Sequence, residues 1–398
     1  MPESPASPPP EAKYWQPPAI YLTPIPQVAE RLNVVLPHFF RDEAYGGIVS
    51  AMELASELAR HYPQVRFCSQ LPLGDPGRMF DFAATAGPGR QAQTVSFAAG
   101  EPLACHQAEI FLCTHFSTVA VWQAYSQALA ATGLAAAPCY FFAQDYEPDF
   151  YPPGYARDLA LAAFAAARHC RTIVNSKELA AFLANQGFSP DNTTVVLPSL
   201  HPGIRRFMAA TGGVLRKPPP QPLTILLYGR PGMARNRFEQ AVQGLALYLQ
   251  AIGPTKARDQ VILSAGQAHP DIELAPGVIL KSLGKLPMPR YLALLQQAHI
   301  GLSLMASPHP SYPPLEMAAF GLWVVTNRHE CKDLSWAHPR IISIDRPEPL
   351  DVAQGLALAR QKALASPMPN KILLPGNVSP LPWRENLRGL DIAPIHAG

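Results

Sequence analysis

Apolar and polar positions fall into two successive alternating series. In the first, short continuous apolar runs at 32–36, 65–68, 110–113, 139–143, 172–174 and 194–197 predict strands buried on both faces. Between them, apolar residues recur at helical spacing over about 48–61, 118–131, 156–168 and 176–185. Residues 71–92 hold scattered Gly and Pro without a period and read as irregular. The second series predicts strands over 223–228, 261–265, 300–305, 323–326 and 341–344, with helices near 236–250, 289–298, 314–320 and 350–365. Between the series lies Lys217-Pro218-Pro219-Pro220-Gln221-Pro222, a stiff extended spacer. Two βαβ series predict an α/β chain of two parallel-sheet domains. Their bounds are 31–217 and 223–365, flanked by a proline-rich tail over 1–30 and a C-terminal extension over 366–398.

Composition narrows the function. Of 398 residues, 48% are hydrophobic, which excludes a disordered chain. The net charge of +3, with no Lys/Arg run longer than two, argues against a nucleic-acid partner. Six cysteines without a CxxC spacing read as reduced, buried thiols, and no metal site is expected. The N-terminus lacks the basic patch and apolar core of a signal peptide, and no apolar stretch suits a transmembrane helix. A cytoplasmic location is expected.

Ligands of doubly wound sheets bind beyond the carboxyl ends of the strands, so the loops after strands carry the candidate chemistry. The richest runs from Ser307 to Gly321, where a strand gives way to a helix with prolines in its first turn. Free amides of that turn, with the Ser311 hydroxyl, suit a diphosphate. Glu316 is placed to bind sugar or ribose hydroxyls, or simply to complement the helix dipole. Gly229 and Arg230 follow a strand directly. Glycine admits close backbone approach, and the arginine fork matches a diphosphate. Lys285, beside Gly284, suits a second phosphate or plain solvation. In the first half, Tyr45-Gly46-Gly47 precedes a helix and offers an anion cradle, room for an acceptor, or a tight turn. Asp145 and Glu147, at a strand's carboxyl end, suit an acceptor pocket or a general base, or a helix cap with solvated acids. His115 also follows a strand and reads first as a core or capping histidine.

Together these segments resemble GT-B-fold glycosyltransferases of family 4, and more closely the WsaF-type bacterial rhamnosyltransferases. The resemblance rests on the phrases at 140–151 (YFFAQDYEPDFY), 228–236 (YGRPGMARN) and 301–327 (GLSLMASPHPSYPPLEMAAFGLWVVTN). It implies two Rossmann-like domains facing each other across a cleft, with the acceptor on the N-terminal one and a nucleotide-sugar donor on the C-terminal one. It implies that Gly229, Arg230, Lys285, Ser311, Tyr312 and Glu316 bind the donor. Tyr45, Gly46, Gly47 and Asp145 would meet the acceptor, and Glu316, Asp145 and Glu147 would be the catalytic candidates. The implied donor is dTDP-β-L-rhamnose, the acceptor a glycan or lipid-linked glycan with peripheral membrane association, and no cofactor is implied. One departure stands out. Family 4 commonly carries a second glutamate eight positions before Glu316, where this chain has Pro308. No protein nucleophile comes from that position, and the absence of a DxD motif gives no reason to expect a metal. Two other readings stay open: a nucleotide-sugar epimerase of the same fold, and a non-catalytic glycan- or nucleotide-binding protein.

Overall fold

A computed structural model describes residues 18–26, 29–40, 46–366, 369–390 and 392–396. They form two compact units. One comprises the described residues through Asn175, then Leu183–Val196 and those from Trp383 onward; the other comprises Ser176–Phe182 and Leu197–Pro382.

The first unit holds β1 (Leu22–Pro24), β2 (Arg31–Leu36), β3 (Gln64–Ser69), β4 (Gln91–Ser96), β5 (Leu103–Cys105), β6 (Glu109–Cys113), β7 (Cys139–Ala143), β8 (Arg171–Val174) and β9 (Thr193–Val195). β1 pairs only with β5. The other seven make one sheet in the order β4-β3-β2-β6-β7-β8-β9, and every pairing in it is parallel. β2, β6 and β7 are buried along their whole length, as their mostly apolar runs predict. Two polar residues interrupt the β2 run, and each is paired. Arg31 and Arg66 both bond to the fully buried Glu109, and Asn33 bonds to Glu109 and Arg66 (2.7 and 2.6 Å). Buried charge is tolerated only when partnered in this way.

The second unit contains β10 (Leu223–Gly229), β11 (Gln260–Gly266), β12 (Ile272–Ala275), β13 (Val278–Ser282), β14 (Ile300–Leu302), β15 (Trp323–Asn327) and β16 (Ile341–Ile344). Its order is β12-β13-β11-β10-β14-β15-β16, parallel except for the edge strand β12. Setting that edge aside, the second sheet runs 3-2-1-4-5-6 from its first strand, and the first sheet runs the same way with a seventh strand, β9, added at the end, so the expected Rossmann-like pair is present. Helices Phe238–Ile252 and Pro349–Ala365 supply one core of the second unit. Helices Met288–Gln297 and Tyr312–Ala319 supply another.

Two expectations need correcting, and one segment left open is placed. The boundary falls near residue 197 and not at 217–222. Leu200, Ile204 and Leu215 lie in the second unit's core, and the helix Pro202–Thr211 belongs with them. Lys217 donates to the carbonyls of Leu295 and Ala298 (both 2.6 Å), which fastens the proline run to that unit. The C-terminal extension packs into the first unit, where Trp383, Leu387 and Ile392 lie in the core. The stretch read as irregular contains the helix Phe82–Ala86 and leads into β4. All six cysteines are free thiols, five of them buried.

Candidate functional site

In each sheet the strand order reverses at one point, between β2 and β6 in the first unit and between β10 and β14 in the second. Loops leaving the carboxyl ends there form the crevice in which doubly wound folds bind ligands. The sequence-derived candidates lie on these loops and their neighbours.

In the second unit, the loops after β10, β11 and β13 are laced into one rim. The Gln267 N–H donates to Gly229 O (2.8 Å), Gly266 N–H to Gly284 O (3.0 Å) and Leu283 N–H to Ser264 O (2.8 Å). Gly229 is required, because a Cβ there would run into Ser264 Oγ. The rim carries Arg230, half-buried, and Lys285, exposed. A Cβ on Gly266 would lie 3.2 Å from Arg230 Cγ, so the arginine stem rests against that glycine.

Across the reversal, the loop after β14 is clamped at Met305. Its N–H donates to Asn327 Oδ1 (2.8 Å), and its carbonyl accepts from Asn327 Nδ2 (3.2 Å) and from the buried Lys332 Nζ (2.6 Å). The loop ends at Ser311, whose backbone has φ 67°. The expectation of several free amides in the following turn is not met. Pro313 and Pro314 have no N–H, and the Ser311 N–H is donated to His309 Nδ1 (3.0 Å). Of the first three residues of the helix, Tyr312 alone carries an N–H.

Glu316 sits one turn into that helix and is 8% exposed. The Tyr291 hydroxyl donates to its Oε2 (2.9 Å), and the His201 backbone N–H donates to the same carboxylate. Burial pushes the Glu316 carboxyl up to about 7, against the opposing pull of these two donors. Neither Tyr291 nor His201 belongs to a motif in the sequence. They reach Glu316 only through the packing of the helices Met288–Gln297 and Pro202–Thr211 beside it.

In the first unit, Gly46 and Gly47 open the helix Gly46–Leu58, while Tyr45 lies outside the described residues. A Cβ on Gly47 would stand 3.2 Å from Gln144 Oε1, so the helix start and the loop after β7 meet here. Asp145 and Glu147 are both buried, contrary to a solvated reading. Asp145 Oδ1 accepts from the Tyr146 N–H (2.8 Å). Glu147 Oε2 accepts from the Phe116 N–H (2.6 Å), the first amide of the helix Phe116–Ala131. There the carboxylate complements the positive helix end. His115 caps the same helix and lies 3.9 Å from Glu147 Oε1. Its Nδ1 is 2.8 Å from Ser117 Oγ, which donates to Gln70 Oε1 (2.7 Å). Burial pushes the imidazole down to about 4, leaving it neutral at pH 7.

Among the described residues no group of His, Cys, Asp or Glu is placed to hold a metal ion, and no helix is long and apolar enough to cross a membrane.

Comparison with known proteins agrees with this layout. Residues 31–177 match the family model of the WsaF N-terminal domain, and residues 223–357 match that of the WsaF C-terminal domain. The O-antigen biosynthesis protein RfbC of Myxococcus xanthus is 35% identical over 150 residues. That match takes in 37% of this chain but only 12% of the RfbC protein. WaaG, a glycosyltransferase involved in lipopolysaccharide biosynthesis, superposes with a TM-score of 0.51 at 15% identity, covering 90% of this chain and 94% of its own. Sucrose-phosphate synthase of Thermosynechococcus elongatus gives 0.51 at 14% identity, with 91% and 94% covered. HepE of Anabaena, solved with UDP, gives 0.50 at 11% identity, with 84% and 90% covered. These structures place the fold in the GT-B class. With family models matched in both halves, over well more than half of its length, the chain belongs to the WsaF-like family.

Proposed function

We propose that this chain is a glycosyltransferase of family 4 that moves L-rhamnose from dTDP-β-L-rhamnose to a glycan hydroxyl during bacterial surface polysaccharide synthesis. The observation that carries the reading is the reversal point of the second sheet. There the rim bearing Arg230 and Lys285 and the helix bearing Glu316 leave neighbouring strands of one sheet edge. Cations at that edge suit a diphosphate, and a carboxylate suits sugar hydroxyls. Membership of the WsaF-like family, and the relative concerned with O-antigen synthesis, support the choice of chemistry.

In this mechanism Arg230 and Lys285 take up the negative charge that grows on the leaving diphosphate, as preorganised electrostatic stabilisation. The Ser311 hydroxyl and Tyr312 line its phosphates, and Glu316 accepts a hydroxyl of the nucleotide ribose or the donor sugar. The acceptor is met by the segment of Tyr45, Gly46 and Gly47 and by Asp145 in the first unit, and Glu147 accepts the first amide of the helix Phe116–Ala131. The acceptor oxygen bonds to the anomeric carbon while the bond from that carbon to phosphate oxygen breaks. The acceptor proton passes to the leaving diphosphate, and the products are the glycoside and dTDP. Pro308 in place of the second glutamate fits this route, which asks for no protein nucleophile there. Nucleotide sugars are made in the cytoplasm, so the reaction is assigned to its membrane face, where a lipid-linked acceptor is within reach.

The test is release of dTDP from dTDP-β-L-rhamnose by the purified chain, with water taking the place of the acceptor hydroxyl, and with UDP-glucose and GDP-mannose as controls. Release that Arg230→Ala and Lys285→Ala each reduce at least a hundredfold is expected. Release from a control donor instead removes the rhamnose assignment, and release unaffected by both variants removes the site.

A further inference from the structure

The donor-side carboxylate has a neighbour that belongs to no recognised motif. Tyr291, in the helix Met288–Gln297, donates its hydroxyl to Glu316 Oε2 at 2.9 Å. A carboxylate offers about four acceptor positions. The phenol takes one and the His201 amide another, which leaves the remainder for a sugar hydroxyl. His201 is itself fixed, its Nδ1 accepting the Gly203 N–H (3.0 Å). Gly203 abuts Met288 so tightly that a Cβ would collide with it, which ties this turn to the helix bearing Tyr291. We propose that Tyr291 is a positioning residue for nucleotide binding: its hydroxyl holds one oxygen of Glu316 so that the rest of the carboxylate is presented to a ribose or sugar hydroxyl. This rests on the donor reading given above.

The titratable groups facing the pair are few. Burial raises the Tyr291 phenol most, the Glu316 carboxylate beside it raises it further, and Tyr228 near the end of β10 adds a smaller push in the same direction, so it stays a donor through the neutral range. The His201 imidazole is pushed down by burial and by the nearby Arg206 and Arg205, so it stays neutral there. Glu316 is thus the member of this group that changes charge near pH 7. Removing the phenol's hydrogen bond raises the pH at which it ionises.

The experiment uses the full chain and Tyr291→Phe, which keeps the ring. The difference infrared titration of wild type against Glu316→Gln reads the carboxyl directly. Calorimetry with dTDP and with UDP, from pH 6 to 9, reads binding. The expected results are a carboxyl midpoint raised by about one pH unit or more in Tyr291→Phe, and nucleotide affinity about tenfold weaker at pH 7. That affinity returns toward the wild-type value at pH 9. An unchanged midpoint with unchanged affinity overturns the proposal, and so does a loss of equal size at every pH, which a merely structural role would give. If wild type binds neither nucleotide, the donor reading itself falls. If wild type binds and Tyr291→Phe matches it throughout, only the role of Tyr291 falls.

Discussion

Glu316 is held at a cost that can be measured. Its carboxyl ionises near 4.5 when exposed and near 7 in the folded chain, because burial outweighs the two hydrogen bonds it receives. A carboxyl raised in this way binds more protons folded than unfolded between those two pH values. Stability attributable to it therefore falls as pH rises from about 4.5 to 7, and the full penalty stands above pH 7. Between pH 5 and pH 8 the change amounts to about 2–3 kcal/mol at ~1.4 kcal/mol per pH unit. Glu316→Gln keeps the shape and an acceptor for Tyr291 but never ionises. Urea unfolding of both proteins at pH 5 and pH 8 tests this. The stability of Glu316→Gln relative to wild type should improve by about 2–3 kcal/mol on going to pH 8, while nucleotide binding is lost. Parallel pH dependences would refute the reasoning, because Glu316 would then be ionised at pH 5 as at pH 8.

Other consequences follow from the same geometry. Glu109→Gln leaves the Arg31 and Arg66 cations buried without their counter-charge, so it should cost about 3–5 kcal/mol in chemical denaturation; a cost below about 1 kcal/mol would mean the network relaxes freely. Gly229→Ala forces a methyl into Ser264 Oγ, which predicts a loss of about 1–3 kcal/mol in stability together with weakened nucleotide binding. The His115 imidazole should show no titration by NMR between pH 6 and 8, because burial holds it down near 4; a midpoint near 6.5 would contradict that.

The parallel strands were legible because sheets covered on both faces favour continuous apolar runs, which β7 supplies throughout and β6 and β15 supply over Ile110–Cys113 and Trp323–Val325. β4 was not, since four of its six residues are exposed at the sheet edge and leave no apolar signature. The domain boundary was misplaced for a physical reason. A proline run reads as a spacer, but Lys217 buries its ammonium against two carbonyl oxygens at the end of the helix Met288–Gln297. The search of loops after strands singled out Arg230, Lys285 and Glu316, which lie after β10, β13 and β14. Tyr291 and His201 escaped notice because they reach Glu316 from 25 and 115 positions earlier in the chain, through tertiary packing alone. The scarcity of amides before Glu316 was written in Pro313 and Pro314, whose rings suit a helix start but remove the donors that an anion would use.

The central claim is that the second unit holds a nucleotide sugar at the reversal point of its sheet. Calorimetric titration with dTDP-β-L-rhamnose, UDP-glucose and GDP-mannose, on wild type, Arg230→Ala and Glu316→Gln, tests it most directly. The account predicts selective binding of dTDP-β-L-rhamnose by wild type, lost in both variants. Binding of none of the three, or binding that survives both substitutions, would contradict it.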